Sequence, residues 1–374
     1  MPSIIFDLAT EADDAALRQL LRDNPMPGSI SVTFEREPSY FVASAVEGDF
    51  HQTIVARETE SGQVAGMGSR SVRPMYVNGV VQPVGYMSQL RATASYGWGL
   101  QLARAIAKGF EFSRALHADG RAPFYLMSVT ADNLPARRLL ASGLTGLPCL
   151  RKYARFYTYA VYASRRQRPL PLPRGLRLER GRAQHLQAIL DCLQRNGARQ
   201  QFAPCWTAKT LFNPRATPGL TPEDFSLALD GERVVGCVAC WDQGGFKQTV
   251  VRSYSGVIAR WRKVINLAAP LGGWPTLPDP HTPLRHCYAS HLAIDNDDPS
   301  VFAALLRALY NHTVERHARY FMLGLSETNP FCAIAKTYRP ITYASQLYLV
   351  AWDDGSEAVS KVDARVPGPE VAVL

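Results

Sequence analysis

Two stretches about two hundred residues apart follow one plan, and that repetition limits the fold more than any other feature of the chain. The first reads Tyr86-Met-Ser88-Gln89-Leu90, then a turn holding Gly97-Trp98-Gly99, a helix, a strand over 123–130 and Asn133-Leu-Pro135. The second reads Tyr288-Ala-Ser290-His291-Leu292, then a turn without glycine, a helix, a strand over 320–326 and Asn329-Pro330. A strand–turn–helix–strand unit that occurs twice implies two related domains. Only the first copy has kept its glycines.

The surrounding sequence fills in the same plan. A short strand at Ile4–Asp7 leads to a helix whose Thr10-Glu-Ala-Asp13 start resembles a capping box, with Leu17, Leu20 and Leu21 on one face. Strands follow over 52–58 and 63–77, an Asn78-Gly79 hairpin turn, and a strand over 84–92. Helix 100–116, strand 123–130, a short helix from Asn133 and the Tyr-rich strand 155–163 complete the first unit, 1–164. Residues 165–174 (RRQRPLPLPR) form an extended Pro/Arg connector. The second unit, 175–352, repeats the order with a strand at 176–180, a helix at 182–195 and strands at 225–230 and 233–241. It carries an additional segment, 253–285, with Trp261, Trp274 and five prolines, suited to lining a groove or covering a sheet edge. The polar tail 353–374 reads as poorly ordered.

Bulk properties narrow the function. At 374 residues the chain can bury two cores. No apolar run approaches membrane-spanning length, and the start, Met1-Pro-Ser-Ile-Ile-Phe-Asp7, lacks the pattern of a signal peptide, so a cytoplasmic location is expected. The net charge of +9 is scattered and mostly arginine, unlike the concentrated basic face of a nucleic-acid binder, and it suits an anionic cofactor. Seven cysteines without an export signal imply reduced thiols. Cys237 and Cys240 have metal-ligand spacing but lie in a strand, where positions three apart face opposite ways; they read as structural, and no metal is expected.

Gly97 and Gly99 stand between a strand and a helix, where glycine allows close approach of the main chain to a ligand. The bare N–H groups of a helix N-terminus are suited to a diphosphate. The run Leu90-Arg91-Ala92-Thr-Ala-Ser-Tyr96-Gly97-Trp98-Gly99-Leu100-Gln101, with Asn133 and Ala136 downstream, resembles the central pattern of the GCN5-related N-acetyltransferase superfamily. The resemblance covers most of 1–163 and, more faintly, 175–352. It implies an α/β (α+β) chain of two tandem units, each a mixed, mostly antiparallel sheet flanked by helices. It also implies an acyl-coenzyme A co-substrate, acetyl-coenzyme A or another, and transfer of the acyl group to an amine acceptor by direct attack.

Carried onto this sequence, the resemblance assigns main-chain contacts with the pantetheine arm to Leu90, Arg91 and Ala92, and the diphosphate to amides of Gly97, Trp98, Gly99 and Leu100. Asn133 would bond the cofactor or cap its own helix. An N–H at or near Leu90 would polarise the thioester carbonyl. Departures concern the chemistry: Tyr96 and Gln101 alter the phosphate loop, Leu139 and Leu140 stand where a Tyr acid is usual, and Gln89 stands where a Glu base is usual. Substitutes are Tyr153, Tyr157 and Tyr159 on the last strand, as acid or as packing, and His291 at the place of Gln89, as base or as a core histidine. Asp295, Asp297 and Asp298 replace the glycine turn in the second unit and would repel a diphosphate. The rival readings are a non-catalytic acyl-coenzyme A sensor or scaffold, and a transferase using long-chain or carrier-protein donors.

Overall fold

The structure, a computed structural model, describes residues 3–26, 28–93, 99–272 and 275–374. In chain order the first half contains β1 (Ile4–Leu8), α1 (Asp14–Asp23), β2 (Ile30–Glu35), α2 (Tyr40–Ser44), β3 (Phe50–Glu58), β4 (Val64–Val77), β5 (Val80–Ala92), α3 (Leu100–His117), β6 (Tyr125–Thr130), α4 (Leu134–Leu140) and β7 (Cys149–Tyr162). The second half contains β8 (Leu176–Arg180), α5 (Leu186–Gly197), β9 (Phe225–Asp230), β10 (Arg233–Trp241), β11 (Gln248–Tyr254), α6 (Gly256–Gly272), β12 (Thr282–Pro283), β13 (His286–Ile294), α7 (Pro299–Glu315), β14 (Tyr320–Ser326), α8 (Cys332–Lys336), β15 (Ile341–Ala351) and α9 (Ser356–Ser360).

The two halves share one 12-stranded sheet in the order β1-β3-β4-β5-β6-β15-β7-β14-β13-β10-β9-β8. That order is symmetric about its centre: β1, β3, β4, β5 and β6 correspond to β8, β9, β10, β13 and β14. The closing strand of each half has crossed to the other. β15, from the second half, pairs antiparallel with β6 of the first, and β7 pairs antiparallel with β14. β15 and β7 then pair with each other from Ile341↔Ala160 to Ala351↔Cys149. The two-unit plan therefore stands, with its last strands exchanged.

A smaller sheet also joins the halves, with β2 of the first against β11 of the second. The connector 165–174 is extended and pinned to α7: Gln167 N donates to Asn311 Oδ1 and Arg307 donates to the Arg168 carbonyl. Segment 253–285 contributes α6, which lies against β11, and the short strand β12. Cys237 and Cys240 enter different apolar clusters on opposite faces of β10, as their spacing on a strand requires. The tail is a correction. Residues 353–374 are packed rather than loose, and Ala372 and Val373 are buried in the second half's core. No helix among the described residues is long and apolar enough to cross a membrane.

The pairing of β5 with β6 depends on a glycine. A Cβ on Gly85 would lie 2.0 Å from Cδ1 of Tyr125, whose ring fills the space across the strand. Overpacking at such a site costs about 3 kcal/mol. Gly85→Ala is expected to lower unfolding free energy by that amount in urea denaturation, while Gly245→Ala, where nothing stands within 4 Å, has little effect.

Candidate functional site

β5 and β6 run parallel from Gly85↔Tyr125 to Met87↔Met127, and then part. The cause is a bulge. Gln89 takes φ 56°, and the pairing with β4 jumps from Ser69↔Ser88 to Met67↔Arg91, so Gln89 and Leu90 share one partner, Gly68. An additional residue on one strand bends it and raises its twist, which carries 88–92 away from β6. Among the described residues, no strand lies beside the edge of Leu90, Arg91 and Ala92 turned from β4. At the end of this opening α3 begins. Its N-cap, Gly99, has φ 100° and makes no side-chain capping bond, and a Cβ there would meet nothing within 4 Å. Among the described residues no side chain caps the first N–H groups of α3, and bare N–H groups at a helix start can hold an anion. Gly97 and Trp98 lie outside the described residues; Gly99 and Leu100 open the helix. Asn133 spends its Oδ1 on the N–H of Ala136 at 3.2 Å, so it caps α4.

The second half repeats this geometry. β13 and β14 pair in parallel from His286↔Tyr320 to Ala289↔Leu323 and then part. His291 takes φ 54°, and the β10 register shifts between Cys237 and Ala239. Gln89 and His291 are therefore equivalent bulge residues. Here, however, the opening is filled. The Glu370 carboxylate accepts the His291 N–H at 2.8 Å, Gln243 donates to the Ala372 carbonyl at 2.9 Å, and Val371 lies against Gly324. The start of α7 is also taken: Asp298 accepts from Ser300 N and Val301 N, while Asp295 is held by Arg195, Arg233 and Asn196. Carboxyl groups of the chain itself take the bulge N–H and the first N–H groups of α7.

No family model matches the sequence, and no curated protein sequence matches it. Solved structures do. A GCN5-related N-acetyltransferase from Sphaerobacter thermophilus superposes with a TM-score of 0.58 at 13% identity, over 99% of this chain and 98% of that one. The N-myristoyltransferase of Saccharomyces cerevisiae, solved with bound myristoyl-coenzyme A, superposes with a TM-score of 0.59 at 11% identity, over 94% of this chain and 84% of that one. The fold is that of the GCN5-related N-acetyltransferases.

Within this acetyltransferase-type fold the strand exchange relocates the tyrosines expected near the first opening. β15 separates β7 from β6, so Tyr157 lies opposite Leu325 beside the second opening, tilted against Tyr159. Tyr159 is fully buried. Tyr153 has its ring edge against Phe202, and its buried hydroxyl has no partner; burial holds its pKa well above the usual phenol range. None is placed as an acid in the first opening. His291 is a core histidine, packed on Trp206 at 4.3 Å between ring centroids, with Nδ1 2.9 Å from Ser290 Oγ. Burial, helped by the nearby Arg73 charge, presses its pKa down to about 3, which ill suits a base at neutral pH. Gln89 has the bulge conformation and no titratable group.

Polar groups the sequence did not reveal gather on the acceptor side of β5, the face of Tyr86 and Ser88. Ser88 Oγ is 2.8 Å from Ser69 Oγ and donates to Glu47 Oε2 at 3.4 Å. Glu47, 1% exposed, forms an ion pair with Arg36 and lies 3.4 Å from His51 Nδ1. Burial raises its pKa, but Arg36, His51 and Lys247 outweigh that and hold the carboxyl well below the usual range. Arg73 donates to the carbonyls of Val46 and Glu47 and stacks on Trp206, linking this group to the second half. Spread over positions 36 to 247, these residues form no local motif.

Glu370 gives a sign-specific pH prediction. Burial pushes its pKa up to about 7 against the pull of the His291 and Ala372 N–H groups and Arg73. Between the ordinary carboxyl value of 4.5 and about 7 the folded state holds a proton that the unfolded state has released. Stability therefore falls as pH rises through that window. In Glu370→Gln this fall is expected to flatten, as read from denaturation midpoints at about pH 5 and about pH 8.

Proposed function

We propose that this chain transfers an acyl group from acyl-coenzyme A to an amine, using the first opening alone. The observation that supports this reading is the parting of β5 from β6 beside the uncapped start of α3, in a chain whose second such parting is filled by its own residues. Coenzyme A would supply the acyl group as a thioester. The free main-chain edge of Leu90, Arg91 and Ala92 would align the pantetheine arm, and the N–H groups opening α3, at Leu100 and beyond Gly99, would hold the diphosphate. The bulge N–H at Gln89 or Leu90 would take the carbonyl oxygen; at the equivalent bulge the His291 N–H already donates to a carboxyl oxygen, that of Glu370.

The amine nitrogen bonds to the acyl carbon, the carbon–sulfur bond breaks and the thiolate leaves. The amine must also lose a proton, and Gln89 cannot take it. Ser88, next to the bulge, would take that proton while its own hydroxyl proton passes by way of Glu47 toward His51, and the departing thiolate takes up a proton from water. Acetyl-coenzyme A is the donor the reading names first. A non-catalytic acyl-coenzyme A sensor is the second reading, favoured by Gln89, Leu139 and Leu140 standing where the fold family usually has its Glu and Tyr.

Calorimetric titration with acetyl-, octanoyl- and palmitoyl-coenzyme A, followed by thiol release across an amine panel, separates these readings. Binding with turnover is expected. Binding without turnover on any amine supports the sensor, and no binding of any donor at millimolar levels removes the proposal. Ser88→Ala is expected to lower kcat on the order of a hundredfold, with donor affinity unchanged.

A further inference from the structure

The acceptor-side recess carries more positive charge than its own carboxylates neutralise. Glu47 is already engaged with Arg36. Arg73 bonds to carbonyl oxygens, with Asp49 and Glu370 within electrostatic reach. That leaves Arg91 and Lys247. Arg91 follows the bulge and shares electrostatic contact with Arg36, Tyr40 and Tyr86; its guanidinium donates to the carbonyl of its neighbour Leu90. Lys247 comes from the second half. The register Gln248↔Glu35 between β11 and β2 sets it toward Arg36; Arg36 and Arg73 repel it, and the one carboxylate that attracts it, Glu47, is already paired with Arg36. Among the described residues neither Arg91 nor Lys247 has a carboxylate in ion-pair range, and the residues outside that set include no acid.

Two features show that these cations line a recess instead of standing in open solvent. Burial presses the pKa of both down, Lys247 to about 8. Yet both residues are half-buried and not fully enclosed. A cation drawn into protein without a counter-ion is costly unless something pairs with it. Solvent reaches these two, so the pairing group can come from outside.

Resting on the reading of the first opening as an acyltransferase site, we infer that the acceptor is an amine that also carries a carboxylate or phosphate, held by Arg91 and Lys247 while its nitrogen faces the bulge. The anion would then bridge the two halves. Polycationic amines, by the same charge argument, are poor acceptors.

The test uses matched amines differing in the anion: phenylalanine against phenylalaninamide, and O-phosphoethanolamine against ethanolamine. With acetyl-coenzyme A as donor, the anionic member of at least one pair is expected to have the lower KM. Lys247→Met is expected to raise that KM on the order of ten- to a hundredfold, leaving the neutral amine and the acetyl-coenzyme A affinity unchanged; Arg91→Gln, at a residue whose main chain borders the donor, is read by anion binding alone, which is expected to weaken. Calorimetry with phenylalanine and O-phosphoethanolamine, with and without coenzyme A, reads the same preference without turnover. Equal or better use of the neutral amines, or undiminished anion binding in both variants, overturns the inference while leaving the acyltransferase reading intact. A variant that loses acetyl-coenzyme A affinity assigns its cation to the cofactor and likewise overturns it. Failure of the wild type to bind any acyl donor defeats the earlier reading instead; anion binding measured without coenzyme A still decides the recess.

Discussion

The ladder between β7 and β15 is the contact on which the remainder of the molecule rests. It runs from Ile341↔Ala160 to Ala351↔Cys149 at the middle of a 12-stranded sheet, and each of its strands comes from the half opposite to the one it completes. Remove that ladder and both halves lose the neighbour of their central parallel pair. The acceptor side depends on the same union, because β11 can place Lys247 beside Arg36 only when the halves are held together.

One local device, the bulge, then yields two outcomes. At Gln89 it leaves a strand edge unpaired next to a helix whose N-cap offers no side-chain bond; at His291 it leaves an N–H that Glu370 accepts. The difference lies in what surrounds the bulge. Asp298 and Glu370 provide, inside the second half, carboxyl oxygens that have no counterpart among the described residues at the first opening. The two halves share one parting of strands, and the second is occupied by carboxyl groups of the chain itself.

The parts visible in the sequence were those with local causes. The equivalence of Gln89 and His291 could be seen because each sits in the same Ser-x-Leu frame ahead of the same elements, and both adopt positive φ. Asn133 signalled a cap through the proline two residues on. The strand exchange had no such signal: β7 alternates tyrosines that suit any neighbour, and nothing in 149–162 or 341–351 states which half completes the pairing. The tail misled because its composition is polar, while its fate rests on three residues, Glu370, Ala372 and Val373, each with a specific place to go. Helix α6 occupies much of the segment 253–285, whose prolines and tryptophans gave no element in the sequence. The charged recess was out of reach, since Arg36, Glu47, Arg73, Arg91 and Lys247 come from five separate segments.

A pair of identical single-unit proteins trading their final strands would have this same strand order, with a rotation axis running between the two crossed strands. The connector 165–174 makes such an exchange permanent within one polypeptide. It follows that the chain cannot be divided at its connector into two self-sufficient pieces, since each fragment would begin life holding a strand that belongs to its sister.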